Sequence, residues 1–218
     1  MGNWKNWLRI VAMAAIAVAL VWRVDLNGWG SLAWFVLTSI MVVIRTPHAK
    51  ENAANILTDT RKDTVEKLTL AGMTLSMMIL PILALLTGVF RFADYTLPDW
   101  LTALGVLAYL GALYLFWRSH ADLGRNWSVT LEVREGHTLV SSGVYSRIRH
   151  PMYTAIWLFV LIQPLLLHNW IAGPPAILFF AALYLLRIPR EEAMMREQFG
   201  AAYEEYMKRT KRIIPGVI

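Results

Sequence analysis

Six apolar runs, separated by polar connections, restrict what this chain can fold into more than any other feature. They extend from about Leu8 to Val24, Trp29 to Ile44, Leu68 to Phe90, Pro98 to Trp117, Tyr153 to Leu167 and Trp170 to Ile188. A backbone that crosses hydrocarbon must satisfy its own hydrogen bonds, so runs of this length are expected as helices. With 57% hydrophobic and 17% charged residues and a mean hydropathy of +0.46, the chain reads as an all-α integral membrane protein of about six membrane segments. At 1.5 Å per residue the third and fourth runs cover roughly 30 Å of hydrocarbon. The fifth, interrupted by Pro164, reaches only about 22 Å, so the last two runs are expected to form a short or tilted hairpin.

Charge placement gives an orientation, because cytoplasmic loops carry the excess of Lys and Arg. With the N-terminus inside, 19 of the 21 basic residues fall on one side, leaving Arg23 and Arg91 outside. Both termini are then cytoplasmic. The net charge of +6 is spread over loop positions beside apolar runs, a pattern that fits topology and anionic lipid headgroups and not nucleic acid. The first run follows Lys5 and Arg9 as in a signal peptide, but Trp22 and Arg23 follow it without a convincing cleavage site, so a retained span is expected. No cysteine is present, which excludes disulfides and thiolate metal sites.

Local signals subdivide the chain further. Pro81 is expected to kink the third run, with neighbouring helices satisfying the freed backbone groups. Thr46 to Glu66 reads as a mixed-charge loop. Pro189 stands where a proline would open a new helix, and Met195, Phe199, Tyr203 and Met207 then recur every four residues, giving an amphipathic C-terminal helix over Arg190 to Arg212. Residues 1–120 thus form an N-terminal transmembrane bundle, and residues 121–218 a C-terminal region with the hairpin, the amphipathic tail and most of the chemistry.

That chemistry is concentrated from His137 to Tyr153. Arg147, Arg149 and His150 precede a helix opened by Pro151, and a helix N-terminus with adjacent cations can hold an anion such as a carboxylate. Arg187 and Glu191 lie four residues apart, on one helix face, so they can pair with each other or each meet a different ligand group. Glu191 and Glu192 also fit a negatively charged first helical turn after Pro189. The five histidines show no metal-ligand spacing, and no phosphate loop, dinucleotide fingerprint or serine-nucleophile elbow occurs.

Together these residues resemble the isoprenylcysteine carboxyl methyltransferase family, related to the phospholipid methyltransferases. The resemblance runs from about Leu123 to Pro215. It is carried by Leu123-Gly124, Trp127-Ser128, His137-Thr138-Leu139-Val140, Gly143-Val144-Tyr145, Arg149-His150-Pro151-x-Tyr153, Arg187-x-x-x-Glu191-Glu192, Phe199-Gly200-x-x-Tyr203-x-x-Tyr206 and Ile214-Pro215. It implies a cytoplasmic S-adenosylmethionine site and methyl transfer to the carboxylate of a prenylated cysteine or a related lipophilic acid. By position it implies cofactor binding by His137, Thr138, Leu139, Val140, Tyr145, Arg149, His150, Pro151, Met152, Tyr153 and Glu191. Arg187 would meet the substrate carboxylate, and Arg187 and Glu191 would be the catalytic pair. One departure is Thr130, where relatives are expected to carry a glutamine that contacts the cofactor.

The residues suit such a reaction on their own terms. An α-carboxylate with a pKa near 3.5 is ionised at pH 7, so its methylation needs no general base, in keeping with the absence of an obvious Asp-His or Glu-His base arrangement in the sequence. Other acceptors remain open, a phospholipid amine among them, as do an NADPH-dependent reductase of the membrane sterol type and a non-catalytic scaffold. The oligomeric state is open too. A carrier fits poorly, because the runs hold almost no ionisable residues away from their ends.

Overall fold

A computed structural model describes residues 24–53, 57–60, 64–127, 132–134 and 138–217, together with scattered helical positions between 7 and 21. The first apolar run, His137 and Thr130 therefore lie largely or wholly outside the described residues. Helices dominate, joined by one antiparallel pair of short strands. In chain order they are α1 (Val24–Ala53), β1 (Leu57–Thr60), α2 (Thr64–Thr74) continuing through a π-helical turn (Leu75–Ile79) into α3 (Leu80–Thr87), and α4 (Asp99–Leu123). There follow β2 (Glu132–Arg134), a 3-10 turn (Gly143–Ser146), α5 (Pro151–Leu167), α6 (Pro175–Phe199) and α7 (Ala201–Arg209).

Among the described residues, three stretches are long and apolar enough to cross a membrane: Gly28–Ala49, Thr64–Thr87 and Asp99–Leu123. They correspond to the second, third and fourth apolar runs. α5 is apolar but shorter, with 17 residues. It packs against α6 as the expected hairpin, through a turn in which His168 takes a left-handed conformation at φ 49°.

Two connections differ from expectation. Thr46 to Glu66 is not simply a loop: α1 continues through Pro47 to Ala53, β1 follows, and α2 begins at Thr64. Nor does Pro189 open a new helix, because α6 runs through it to Phe199. Burial of Ile188, Glu192 and Met194 around the helix holds it together across the missing amide, overriding the local signal. The break comes instead at Gly200, whose φ of 52° divides the anticipated single amphipathic helix into the end of α6 and the separate α7.

The Pro81 kink is resolved by a neighbour. In the π turn the Leu80 amide bonds to the Leu75 carbonyl, and Pro81 has no amide to offer, which leaves the Ser76 carbonyl without its usual helical partner. Gln163 of α5, buried beside it, donates its side-chain amide to Ser76 O at 3.0 Å and to Ala172 O at 2.7 Å. A polar side chain in the apolar core thus ties α2, α5 and the hairpin turn together. Around it the core is built from Trp34, Tyr109, Phe116, Phe159, Leu166 and Phe180.

Candidate active site

At the end of the bundle where α1 and α4 terminate and α5 begins, one cavity collects most of the residues singled out in the sequence. Thr138, Leu139, Val140, Tyr145, Arg149, His150, Met152, Tyr153, Arg187 and Glu191 all line it. Pro151 is buried at the first position of α5 and lies outside the lining. Apolar side chains from other elements complete the wall, among them Leu70, Met73, Ile156, Phe180 and Leu183.

The loop before α5 is held to α4 by a carboxylate. Asp122 accepts from the Val144 amide at 2.9 Å and from Arg118 at 2.7 Å. Gly143 sits against it with φ 60°, and a Cβ there would lie 2.1 Å from Asp122 Oδ2, so only glycine closes this turn without displacement. Tyr145 is thereby carried into the core, where its hydroxyl donates to Ser119 O at 3.2 Å and its carbonyl accepts from Tyr206 at 2.6 Å. Burial, then the nearby Glu191 charge, pushes the Tyr145 hydroxyl well above its ordinary pKa and keeps it a neutral donor. Asn126 pairs with Thr138 through both its amide atoms, at 3.1 and 3.2 Å, fixing the start of the lining segment 138–140.

Two adjacent glutamates on α6 do different things. Glu191 accepts from the Tyr153 hydroxyl at 2.7 Å and stands 3.6 Å from His150 Nδ1. Burial opposes its ionisation, but His150, the Arg187 charge and the Tyr153 hydrogen bond outweigh that and hold its pKa down at about 2. Glu192 points the other way and anchors the tail. It accepts from Arg149 at 3.1 and 3.2 Å and from Arg212 at 2.8 and 3.1 Å, with His150 Nε2 at 3.5 Å. Its carboxyl is held far below the usual range, burial being overcome by these three cationic partners. Burial alone would depress the His150 pKa, but Glu191 and Glu192 more than compensate and raise it, which favours the protonated ring between them.

Residues 210–213 strap this arrangement. The Arg149 amide donates to Lys211 O at 2.7 Å, the His150 amide to Arg212 O at 2.9 Å, and Thr154 Oγ1 to Ile213 O at 2.8 Å. Arg149 also donates to the carbonyls of Thr210 and Met207. Its guanidinium is therefore occupied by the protein, although its stem lines the cavity.

Arg187 does not take Glu191 as its near partner. Its Nε lies 3.6 Å from Glu66 Oε1, with Glu66 buried and the Arg187 side chain 11% exposed. Glu66, Glu192, Arg212 and Arg45 were not singled out by sequence reasoning as site residues. Glu192 had a signal, the repeated acid after Arg187-x-x-x-Glu191. Glu66, a single acid at the start of an apolar run, had none.

Residues 103–197 match the family model of the isoprenylcysteine carboxyl methyltransferases. Through this region the chain is similar to that family. A family relative, protein-S-isoprenylcysteine O-methyltransferase of Schizosaccharomyces pombe, is 33% identical over 116 residues, covering 52% of this chain and 48% of its own. Another, protein-S-isoprenylcysteine O-methyltransferase B of Arabidopsis thaliana, is 25% identical over 158 residues, covering 69% of this chain and 80% of its own. The chain thus spans about half the length of the S. pombe relative. The solved structure of a eukaryotic intramembrane Ras methyltransferase of the family superposes with a TM-score of 0.59 at 19% identity, covering 94% of this chain and 74% of that one, so the two share a fold.

Proposed function

We propose that this protein transfers a methyl group from S-adenosylmethionine to the carboxylate of a prenylated cysteine, or of a related lipophilic acid, at the membrane–cytosol interface. The observation that carries this reading is a single cavity with two unlike ends. An ionised Glu191, bonded by Tyr153 and flanked by His150, faces it from one side, and Arg187 lies on the same helix among apolar side chains of α2, α5 and α6. The family-model match over residues 103–197 and the relatives' names support the reaction class.

The donor set suits a sulfonium nucleoside. Glu191 offers a carboxylate for ribose hydroxyls or an ammonium group, while Tyr145, Tyr153 and Met152 offer polarisable faces for a cation and an adenine. His150, Thr138, Leu139 and Val140 complete the holding residues, with His137 following by sequence position. S-adenosylmethionine supplies an electrophilic methyl group when bound there.

The remaining work falls to the chain. Arg187 receives the acceptor's carboxylate through charge-assisted hydrogen bonds and fixes one oxygen toward the cofactor end. Glu66 beside Arg187 moderates its charge, so the carboxylate is oriented without losing its nucleophilicity. Leu70, Met73, Phe180 and Leu183 exclude water, and a poorly solvated cavity favours a reaction in which an anion and a cation cancel their charges. No proton needs to move, because the acceptor is already ionised at pH 7.

In this reading residues 121–218 form the methyltransferase region and residues 1–120 the supporting bundle, with termini and cavity on the cytoplasmic side. Calorimetric binding of S-adenosylhomocysteine against NADPH tests it. Micromolar binding of the adenosyl ligand is expected, and tight NADPH binding without it would replace the reading by a reductase.

A further inference from the structure

Trp127 belongs to the sequence pattern yet has no part in the reaction described above, and Arg45 lies in an N-terminal region without a recognisable motif. The structure joins them. Arg45 extends from α1 into the wall of the cavity that Arg187 lines. Its guanidinium carbon lies 5.1 Å from the centroid of the Trp127 ring. That ring is fixed in turn: Nε1 approaches the Met152 sulfur at 3.0 Å, and the His120 ring packs at 4.9 Å.

Stacking holds a guanidinium in place while leaving its in-plane donors available, and arginine has five of them in a planar fork. Among the described residues no carboxylate contacts Arg45, whereas Arg187 has Glu66 at 3.6 Å. Arg45 and Arg187 line the same cavity and their like charges repel, and the histidines nearby, His48 and His120, bring no negative charge. Glu66 stands beside Arg187 and Glu191 is bonded to Tyr153, so a further anion bound near Arg45 would ease the repulsion between the two guanidiniums.

We infer that Arg45 is a second contact for the acceptor's carboxylate, forming with Arg187 a two-arginine clamp that makes the site selective for anionic lipid acids over lipid amines. The inference rests on the reading of Arg187 given above and adds the substrate class. A carboxylate between two guanidiniums is pinned in plane, whereas a lipid amine would bring a third positive charge. The same clamp favours release of product, because esterification removes the charge that both arginines hold.

The test compares binding of N-acetyl-farnesylcysteine with that of its C-terminal carboxamide, in wild-type protein and in Arg45→Gln, Arg45→Lys and Arg187→Gln, with S-adenosylhomocysteine affinity measured in parallel. Wild type should prefer the acid by roughly tenfold or more, on the scale of one charge-assisted contact. Arg45→Gln should lose most of that preference with S-adenosylhomocysteine affinity unchanged within about twofold, and Arg45→Lys should restore part of it. Arg187→Gln, which leaves Arg45 in place, should retain a residual preference for the acid. Full loss of preference in Arg187→Gln, or an unchanged preference in Arg45→Gln, overturns the inference. So does a fall in S-adenosylhomocysteine affinity alone in Arg45→Gln, which would assign the arginine to the cofactor's carboxylate. The proposed methyl transfer fails separately, by absence of S-adenosylhomocysteine binding in wild type.

Discussion

Replacing Glu192 by alanine should cost more stability than replacing any single cation around it. The carboxylate is 2% exposed and takes two hydrogen bonds from Arg149, itself 8% exposed, and two from Arg212, which is 45% exposed. Removing one partner of a buried ion pair typically costs about 3–5 kcal/mol, because the other charge is left buried. The half-exposed Arg212 returns to water at little cost, on the order of 0–1 kcal/mol. Arg149 keeps its bonds to the Thr210 and Met207 carbonyls, so the lower end of the range applies, about 3 kcal/mol. For a chain of this size that corresponds to a Tm lowered by roughly 6–12 °C in thermal unfolding of the detergent-solubilised protein. Glu192→Gln should fall between wild type and Glu192→Ala. A Tm for Glu192→Ala within about 2 °C of that for the exposed control Glu204→Ala would refute the view that Glu192 anchors the tail on α6.

The two charged groups one helical turn apart should separate by assay: Arg187→Ala should depress turnover and lipid-acid affinity while sparing cofactor affinity. Glu191→Ala should weaken S-adenosylhomocysteine binding by roughly tenfold or more, measured by calorimetry, and equal aggregation of both variants would show a purely structural role. The His150 pKa is raised above its ordinary 6.5, so its stabilising contribution is complete below pH 6.5 and is lost as pH rises through the folded value. Glu191, held at about 2 against an ordinary 4.5, contributes above 4.5 and loses its contribution as pH falls toward 2. Cofactor affinity should therefore decline on the alkaline side, and His150→Ala should abolish that limb of the pH profile. Gln163→Leu should leave the Ser76 carbonyl dry and unsatisfied, lowering stability by about 1–3 kcal/mol in denaturant titration, with Gln163→Asn no full substitute because its amide is one carbon shorter.

Much of the cavity could be read in advance because its residues sit close together in sequence. The turn Gly143-Val144-Tyr145, the helix opened by Pro151 and the spacing of Arg187 and Glu191 are local patterns, and the fold brings them to one place. Interactions between distant elements were not legible in this way. Glu66 meets Arg187, Arg45 meets Trp127 and Gln163 meets Ser76 only because α1, α2, α5 and α6 pack side by side. The Pro189 signal misled where tertiary contacts decided the outcome. Pro189 lies inside a helix with Ile188 and Glu192 buried on either side, Pro47 lies inside α1, and the four-residue stripe of the tail gave no hint that Gly200 interrupts it. Glu192 was read as part of an acidic first turn, and it is a buried mid-helix acid because α6 never stopped at Pro189.

The most direct test is transfer of labelled methyl from S-adenosylmethionine to N-acetyl-farnesylcysteine by the purified protein in lipid, alongside Arg187→Ala. Base-labile label on the wild-type product, lost in the variant, is the expected result and would establish carboxyl methylation with Arg187 at the acceptor. Label that survives base, or equal labelling by both proteins, would contradict the account.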